Sequence, residues 1–285
     1  MNLLEQSLPV AAPACDMNRE TPRLRRVFAC LLFVGIWMAF GPIIHGDSNM
    51  YLMLGIPLTI LFQLYVARQP LQDLWLRSGA RIALTGRLFA MAAVLIIWPA
   101  YSAIRMIQLH SPLPIVAWMV CCVAGALPAA YALQRFGGAS VRALLICLAT
   151  GGAAAIAILA AGVFAQHRHV PVHALVTAAR WFFLYFPATF VIEEVSFRGA
   201  LDSYIHRPGE RRPWLSALFV STLWGLWHLP ITPHPTIATA IVLVIYQCVL
   251  GVPLSFAWRR SGNLAVPCAV HAVVDAVRNA LFGLG

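Results

Sequence analysis

FFLYFPATFVIEEVSFR, residues 182–198, is the stretch on which the reading of this chain turns. An uncharged run ends on two adjacent carboxylates, Glu193 and Glu194, and Arg198 follows four positions after Glu194. Read upstream, the apolar character begins near residue 174, giving a run over 174–195. About 20 apolar residues cross roughly 30 Å of hydrocarbon, so this run is long enough to span a bilayer and carries ionisable groups at one end.

Working outward, similar runs lie near 27–44, 51–67, 88–104, 113–133, 143–165, 213–230, 236–256 and 264–282. The second is short and the eighth contains Pro253, so the pattern predicts eight or nine spans. The composition agrees. Of 285 residues 61% are hydrophobic and 11% charged, and the mean hydropathy is +0.79. Soluble domains carry about 25% charged residues, which excludes an ordinary soluble enzyme, a disordered chain and a nucleic-acid binder with a solvated basic face. The predicted fold is all-α, a polytopic transmembrane helical bundle in contact with membrane lipid.

All 20 basic residues are arginine, for a net charge of +10. Sixteen fall before run one and in alternate connections after it, and only Arg105, Arg168, Arg180 and Arg278 fall in the other set. This asymmetry predicts that the N-terminus is cytoplasmic in an integral protein of the cytoplasmic membrane. The organisation expected is a cytoplasmic tail over 1–26, N-terminal transmembrane helices over 27–173, and a C-terminal transmembrane core over 174–285. The seven cysteines lack CxxC or zinc-type spacing and read as small buried hydrophobes. Cys15 follows Ala-Pro-Ala but has no apolar signal core before it. His167, His169 and His173 cluster on an outer loop, a solvated group before a metal site.

Ten acids are present, and Glu5, Asp16, Glu20, Asp47, Asp73, Asp202 and Glu210 read as tail or loop residues. Glu193, Glu194, Asp275, His228 and His271 instead lie in apolar runs, all in the final third of the chain. An ionisable group in a span costs several kcal/mol unless paired or facing a cavity, and is a functional-site hypothesis by default. Glu194 and Arg198 stand i, i+4, the favoured order for a helical ion pair. Trp224 and His228, and His271 and Asp275, repeat that spacing, so three helices project a carboxylate and two imidazoles toward a common point. A carboxylate beside an imidazole can take a proton from water, and a second imidazole can stabilise an oxyanion. Glu193, His228 and His271 equally make a catalytic zinc set. Ser196 and Ser221 have no base partner by sequence, and no GxSxG occurs.

Three elements together resemble a known family. Glu193-Glu194-Val-Ser-Phe-Arg198 is similar to the EExxxR motif of the CPBP (CAAX protease and bacteriocin-processing) intramembrane proteases. Trp224-Gly-Leu-Trp-His228 resembles the family's FxxxH motif, and His271-Ala-Val-Val-Asp275 its HxxxN/D motif. The resemblance implies that Glu193 and His228 activate water, that His271 and Asp275 line the oxyanion side, and that Glu194 and Arg198 support the site. It implies no required cofactor, with zinc as the alternative, and a peptide or protein substrate that is lipidated or membrane-anchored, with no nucleic-acid partner. Trp224 replaces the family's usual Phe as an aromatic wall. Asp275 stands where Asn can donate a hydrogen bond, so it is either protonated or orients His271. Two other readings remain open from sequence: a proton-coupled transporter using the same residues, which calls for inverted repeats that are not evident, and an inactive family member serving as a binding or immunity factor.

Overall fold

The computed structural model describes residues 22–44, 47–77, 84–167, 170 and 173–283. The tail up to residue 21, with Cys15, lies outside these residues, as do Arg81, Arg168 and His169 of the connections. Among the described residues nine helices are long and apolar enough to cross a membrane: α1 Arg23–Ile43, α2 Ser48–Ala67, α3 Gly86–Gln108, α4 Leu113–Gln134, α5 Gly138–Ala165, α6 Ala174–Ile205, α7 Pro213–Ile231, α8 Ile237–Ser261 and α9 Ala265–Phe282. No strand forms among them beyond an isolated bridge between Leu76 and Asn263. The chain is an integral membrane protein with nine candidate spans among the described residues, and Pro253 sits inside an unbroken α8.

Helix ends follow local chemistry. The side chains of Asp47, Thr85 and Thr236 accept hydrogen bonds from the backbone N–H groups of Met50, Leu88 and Thr239, capping α2, α3 and α8. Pro213 opens α7, where its missing N–H costs nothing. The residue after α8, Gly262, has φ +60, the left-handed turn that stops a helix.

One boundary differs from the sequence reading in a way that builds the site. The sixth run does not end near residue 195; α6 continues to Ile205. Over Phe190–Asp202 its backbone widens to i→i+5 hydrogen bonding, a rare π-helical form that favours functional sites. Pro187, just upstream, has no N–H to contribute to the α-helical ladder. The hydroxyls of Thr189 and Ser196 donate to the carbonyls of Tyr185 and Ile192, at 2.9 and 2.8 Å.

The core is deepest around α9, whose apolar window is 67% buried against at most 44% for any other span. The early spans brace it with aromatic side chains. Trp37 of α1 donates through its indole nitrogen to the Tyr51 carbonyl at 2.8 Å, and the Tyr51 hydroxyl donates to the Trp227 carbonyl at 2.8 Å. The Trp37 and Trp227 rings meet edge-on with centroids 4.8 Å apart. Gly55 makes room for this brace, since a Cβ there would lie 2.0 Å from the Trp37 ring. Spans that carry little chemistry of their own therefore fix the end of α7 that bears His228.

Asp202 is corrected from loop residue to buried helix residue. It is fully buried in α6 and takes a two-pronged contact from Arg259, at 2.6 and 2.9 Å, while Arg259 also donates to the Pro213 carbonyl at 2.6 Å. That fork ties the ends of α6, α7 and α8 together on the arginine-rich face. The described cysteines are free thiols, Cys30, Cys122, Cys147 and Cys268 being buried, as expected of packing residues.

Candidate active site

The extension of α6 brings the candidate residues together. Counted along the helices at about 1.5 Å per residue, Glu193 lies about 18 Å from the Ile205 end of α6 and His228 about 22 Å from the Pro213 end of α7. Both ends are on the arginine-rich face, so the two positions share a depth. Had α6 ended near residue 195, they would have lain at opposite sides of the bilayer.

Trp224 is the hub. Its indole N–H donates to Glu193 Oε2 at 2.9 Å, and its ring meets that of His271 edge-on with centroids 4.9 Å apart. The Arg198 guanidinium lies 4.2 Å above the indole centroid, a cation–π contact strengthened by desolvation. The backbone carbonyl of Trp224 accepts from His228 Nδ1 at 2.7 Å. The sequence offered Trp224 only as an aromatic wall. In the fold it touches all three helices of the site through separate parts of one residue.

His271 is held from several sides. Its Nδ1 lies 2.8 Å from Glu194 Oε1, and its Nε2 lies 3.4 Å from Asp275 Oδ2 and 4.0 Å from Glu193 Oε2. Carboxylates face both ring nitrogens, at hydrogen-bond distance on Nδ1 and at longer range on Nε2. Glu194 and Arg198 do pair, at 3.6 Å and with both side chains fully buried. The shorter contact of Glu194, however, is the one to His271 across 77 positions of sequence.

Asp275 has a partner that sequence reading left among the outer arginines. Arg278 Nη1 lies 3.0 Å from Asp275 Oδ1, one turn along α9. An arginine is a permanent cation, so an ionised Asp275 is compensated here. Asp275 thus lies between Arg278 and His271, 3.0 and 3.4 Å from them. Arg198, Arg278 and His271 lie interleaved with Glu193, Glu194 and Asp275, so that each acidic side chain has a basic neighbour.

Gln247 of α8 is a further member that was not anticipated. It is 6% exposed, and its amide nitrogen lies 3.3 Å from His228 Nε2. The signal was present in the sequence as a lone amide inside the apolar run VLVIYQCVLG, residues 242–251. Such a residue in hydrocarbon needs a partner.

Among the described residues no group of three His, Cys, Asp or Glu side chains is disposed to hold a metal ion. His228 Nδ1 contacts a carbonyl and His271 Nδ1 contacts Glu194, which leaves Nε2 of each ring as the nitrogen that faces the site. The outer-loop cluster is reduced to His167 and His173 among the described residues, His169 lying outside them.

Residues 174–277 match the protein-family model described as "Type II CAAX prenyl endopeptidase Rce1-like", which is a CPBP-family model. The matched segment contains Glu193, Glu194, Arg198, Trp224, His228, Gln247, His271 and Asp275 and stops one residue before Arg278. Neither a curated protein nor a solved structure matches the chain.

Proposed function

With a CPBP protease-type segment over residues 174–277 as the premise, we propose that this protein is an intramembrane endopeptidase that hydrolyses a peptide bond of a lipidated or membrane-anchored substrate. The observation that carries the reading is the convergence on Trp224, which joins the carboxylate of Glu193 and the imidazole of His228 beside the ring of His271. Glu193 is partly exposed whereas Glu194 is fully buried, so Glu193 is the carboxylate that meets water.

Glu193 Oε2 is engaged by the indole, leaving Oε1 to accept a proton. His228 donates from Nδ1 to a carbonyl, which leaves the Nε2 lone pair as the second base. A water between them loses a proton and attacks the substrate carbonyl carbon. The carbonyl π pair moves onto oxygen and forms an oxyanion. His271 is anchored through Nδ1, while its Nε2 is 3.4 and 4.0 Å from the nearest carboxylates, longer than a good hydrogen bond. That N–H is the one free to turn to the oxyanion. Collapse then breaks the C–N bond, with the proton delivered from Glu193 or His228 to the leaving amine. Asp275 orients His271, and Glu194 and Arg198 hold the ring and the indole in place. The mechanism uses no metal. The arginine-rich face is the cytoplasmic one on this reading.

The test compares membrane-peptide profiles of cells carrying the wild type or Glu193→Ala. An uncleaved precursor that accumulates only with the variant is the expected result and identifies the substrate. Identical profiles, together with no cleavage by purified protein, would remove the endopeptidase reading.

A further inference from the structure

We propose that Gln247 is the positioning residue of the base: its amide nitrogen holds the lone pair of His228 Nε2, and its amide oxygen receives a donor that arrives with water or substrate. The inference rests on the endopeptidase reading for its catalytic meaning, and on hydrogen-bond directionality for its geometry.

A carbonyl oxygen only accepts, so the 2.7 Å contact between His228 Nδ1 and the Trp224 carbonyl fixes a proton on Nδ1. In the neutral ring Nε2 then carries a lone pair. The group 3.3 Å away must donate to it, and the amide nitrogen of Gln247 does so. With the amide reversed, its oxygen would face that lone pair and repel it. Both nitrogens of the ring are thereby assigned by neighbours on different helices, the backbone of α7 and the side chain of α8.

The other half of the amide points to a ligand. Gln247 Oε1 is buried and has no hydrogen-bond partner among the described residues. An unpaired buried acceptor is costly, and in a native fold it calls for a missing donor. The donors that enter this site during the proposed reaction are a water hydrogen and a substrate amide N–H. Gln247 is therefore a placeholder for the lone pair in the empty site and an acceptor in the loaded one.

The experiment uses full-length protein in nanodiscs. Histidine labelled with ¹⁵N is observed by NMR, the His228 signals being identified by their loss in His228→Gln. The wild type is expected to show a protonated Nδ1 and an unprotonated, hydrogen-bonded Nε2. Gln247→Met, of similar volume and without a donor, should shift the Nε2 signal and leave Nδ1 in place. Gln247→Glu, which sets a carboxylate opposite Nε2, should draw a proton onto that nitrogen. In cleavage assays Gln247→Met should lower kcat about tenfold, the scale of one lost hydrogen bond, with KM within about twofold. A proton on Nε2 in the wild type overturns the proposal, as does an Nε2 signal indifferent to both substitutions or an unchanged kcat. Should the wild type cleave nothing, the endopeptidase reading fails, while the nitrogen spectra still decide the placement of Gln247.

Discussion

Glu194 Oε1 and His271 Nδ1 lie 2.8 Å apart in a region where both side chains are almost fully sealed from solvent. Glu194 also faces Arg198, so one carboxylate links the π-helical part of α6 to the middle of α9 and neutralises a buried guanidinium. Removing one member of a buried ionic group leaves an unpaired charge and costs about 3–5 kcal/mol. Arg198→Met is expected to destabilise the protein by that order, measured by unfolding in mixed micelles. Glu194→Gln should do so comparably and also loosen His271. Stability within about 0.5 kcal/mol of wild type for both variants would show that the cluster carries no structural burden.

Gly251 decides whether Arg198 can reach Trp224. A Cβ at position 251 would come within 2.5 Å of Ser221 Oγ and 2.7 Å of Arg198 Nη2. Gly251→Ala should push the guanidinium off the indole, costing about 1–3 kcal/mol as other overpacked cores do, with a parallel fall in cleavage. Gly35→Ala is the control, because nothing lies within 4 Å of a Cβ there. Equal behaviour of the two variants would sever the link between the Arg198 stack and the site.

The Asp275–Arg278 pair makes a prediction in which a double change repairs a single one. Arg278→Met strands the carboxylate and should lower kcat about tenfold, the scale of a lost charge-assisted hydrogen bond. Asp275→Asn removes the need for a cation and restores a donor beside His271. The Asp275→Asn, Arg278→Met double variant should therefore cleave faster than Arg278→Met alone. If the two losses simply multiply, Arg278 is not the compensating cation.

His206 follows α6 on the arginine-rich face, outside the spans, beside Glu210 at 3.4 Å. Burial holds its imidazole below the ordinary value of 6.5, with Arg259 adding to the effect and Asp202 and Glu210 opposing it. The folded state then binds fewer protons than the unfolded one as pH falls. Stability is full above about 6.5 and declines as pH drops below it, toward the depressed folded value. Unfolding midpoints measured from pH 7.5 to 5 should show this decline, and His206→Gln should flatten it. A slope that survives the substitution assigns the decline to another group.

Eight or nine spans and the candidate site residues were legible in the sequence because hydrocarbon penalises every stray polar group. Glu193, His228 and His271 stand out against apolar neighbours for that reason. What was not legible follows from three-dimensional pairing. The run containing Glu193 read as ending near 195 because Arg198 and Asp202 break its hydropathy, yet Arg198 is buried against Glu194, the partner its spacing offered, and Asp202 against Arg259, which only the fold brings to it. Arg278 was counted only in the minority set of four arginines, for orientation, and at 40% side-chain exposure it does keep one side in the open. Gln247 carried a signal that charge counting ignores, since an amide has no net charge but still demands a partner. Trp224 was visible only as a ring, whereas its backbone carbonyl also sets the state of His228.

The claim on which the account depends is that Glu193 and His228 act on the same water. The most direct measurement is kcat/KM for Glu193→Gln, His228→Ala and the double variant on one identified substrate. General acid–base catalysis contributes about 10²- to 10⁴-fold, and residues acting as a unit are strongly non-additive. The account predicts that each single change costs a factor in that range and that the double variant is hardly slower than either. Losses that multiply, or a Glu193→Gln protein that cleaves at the wild-type rate, would contradict it.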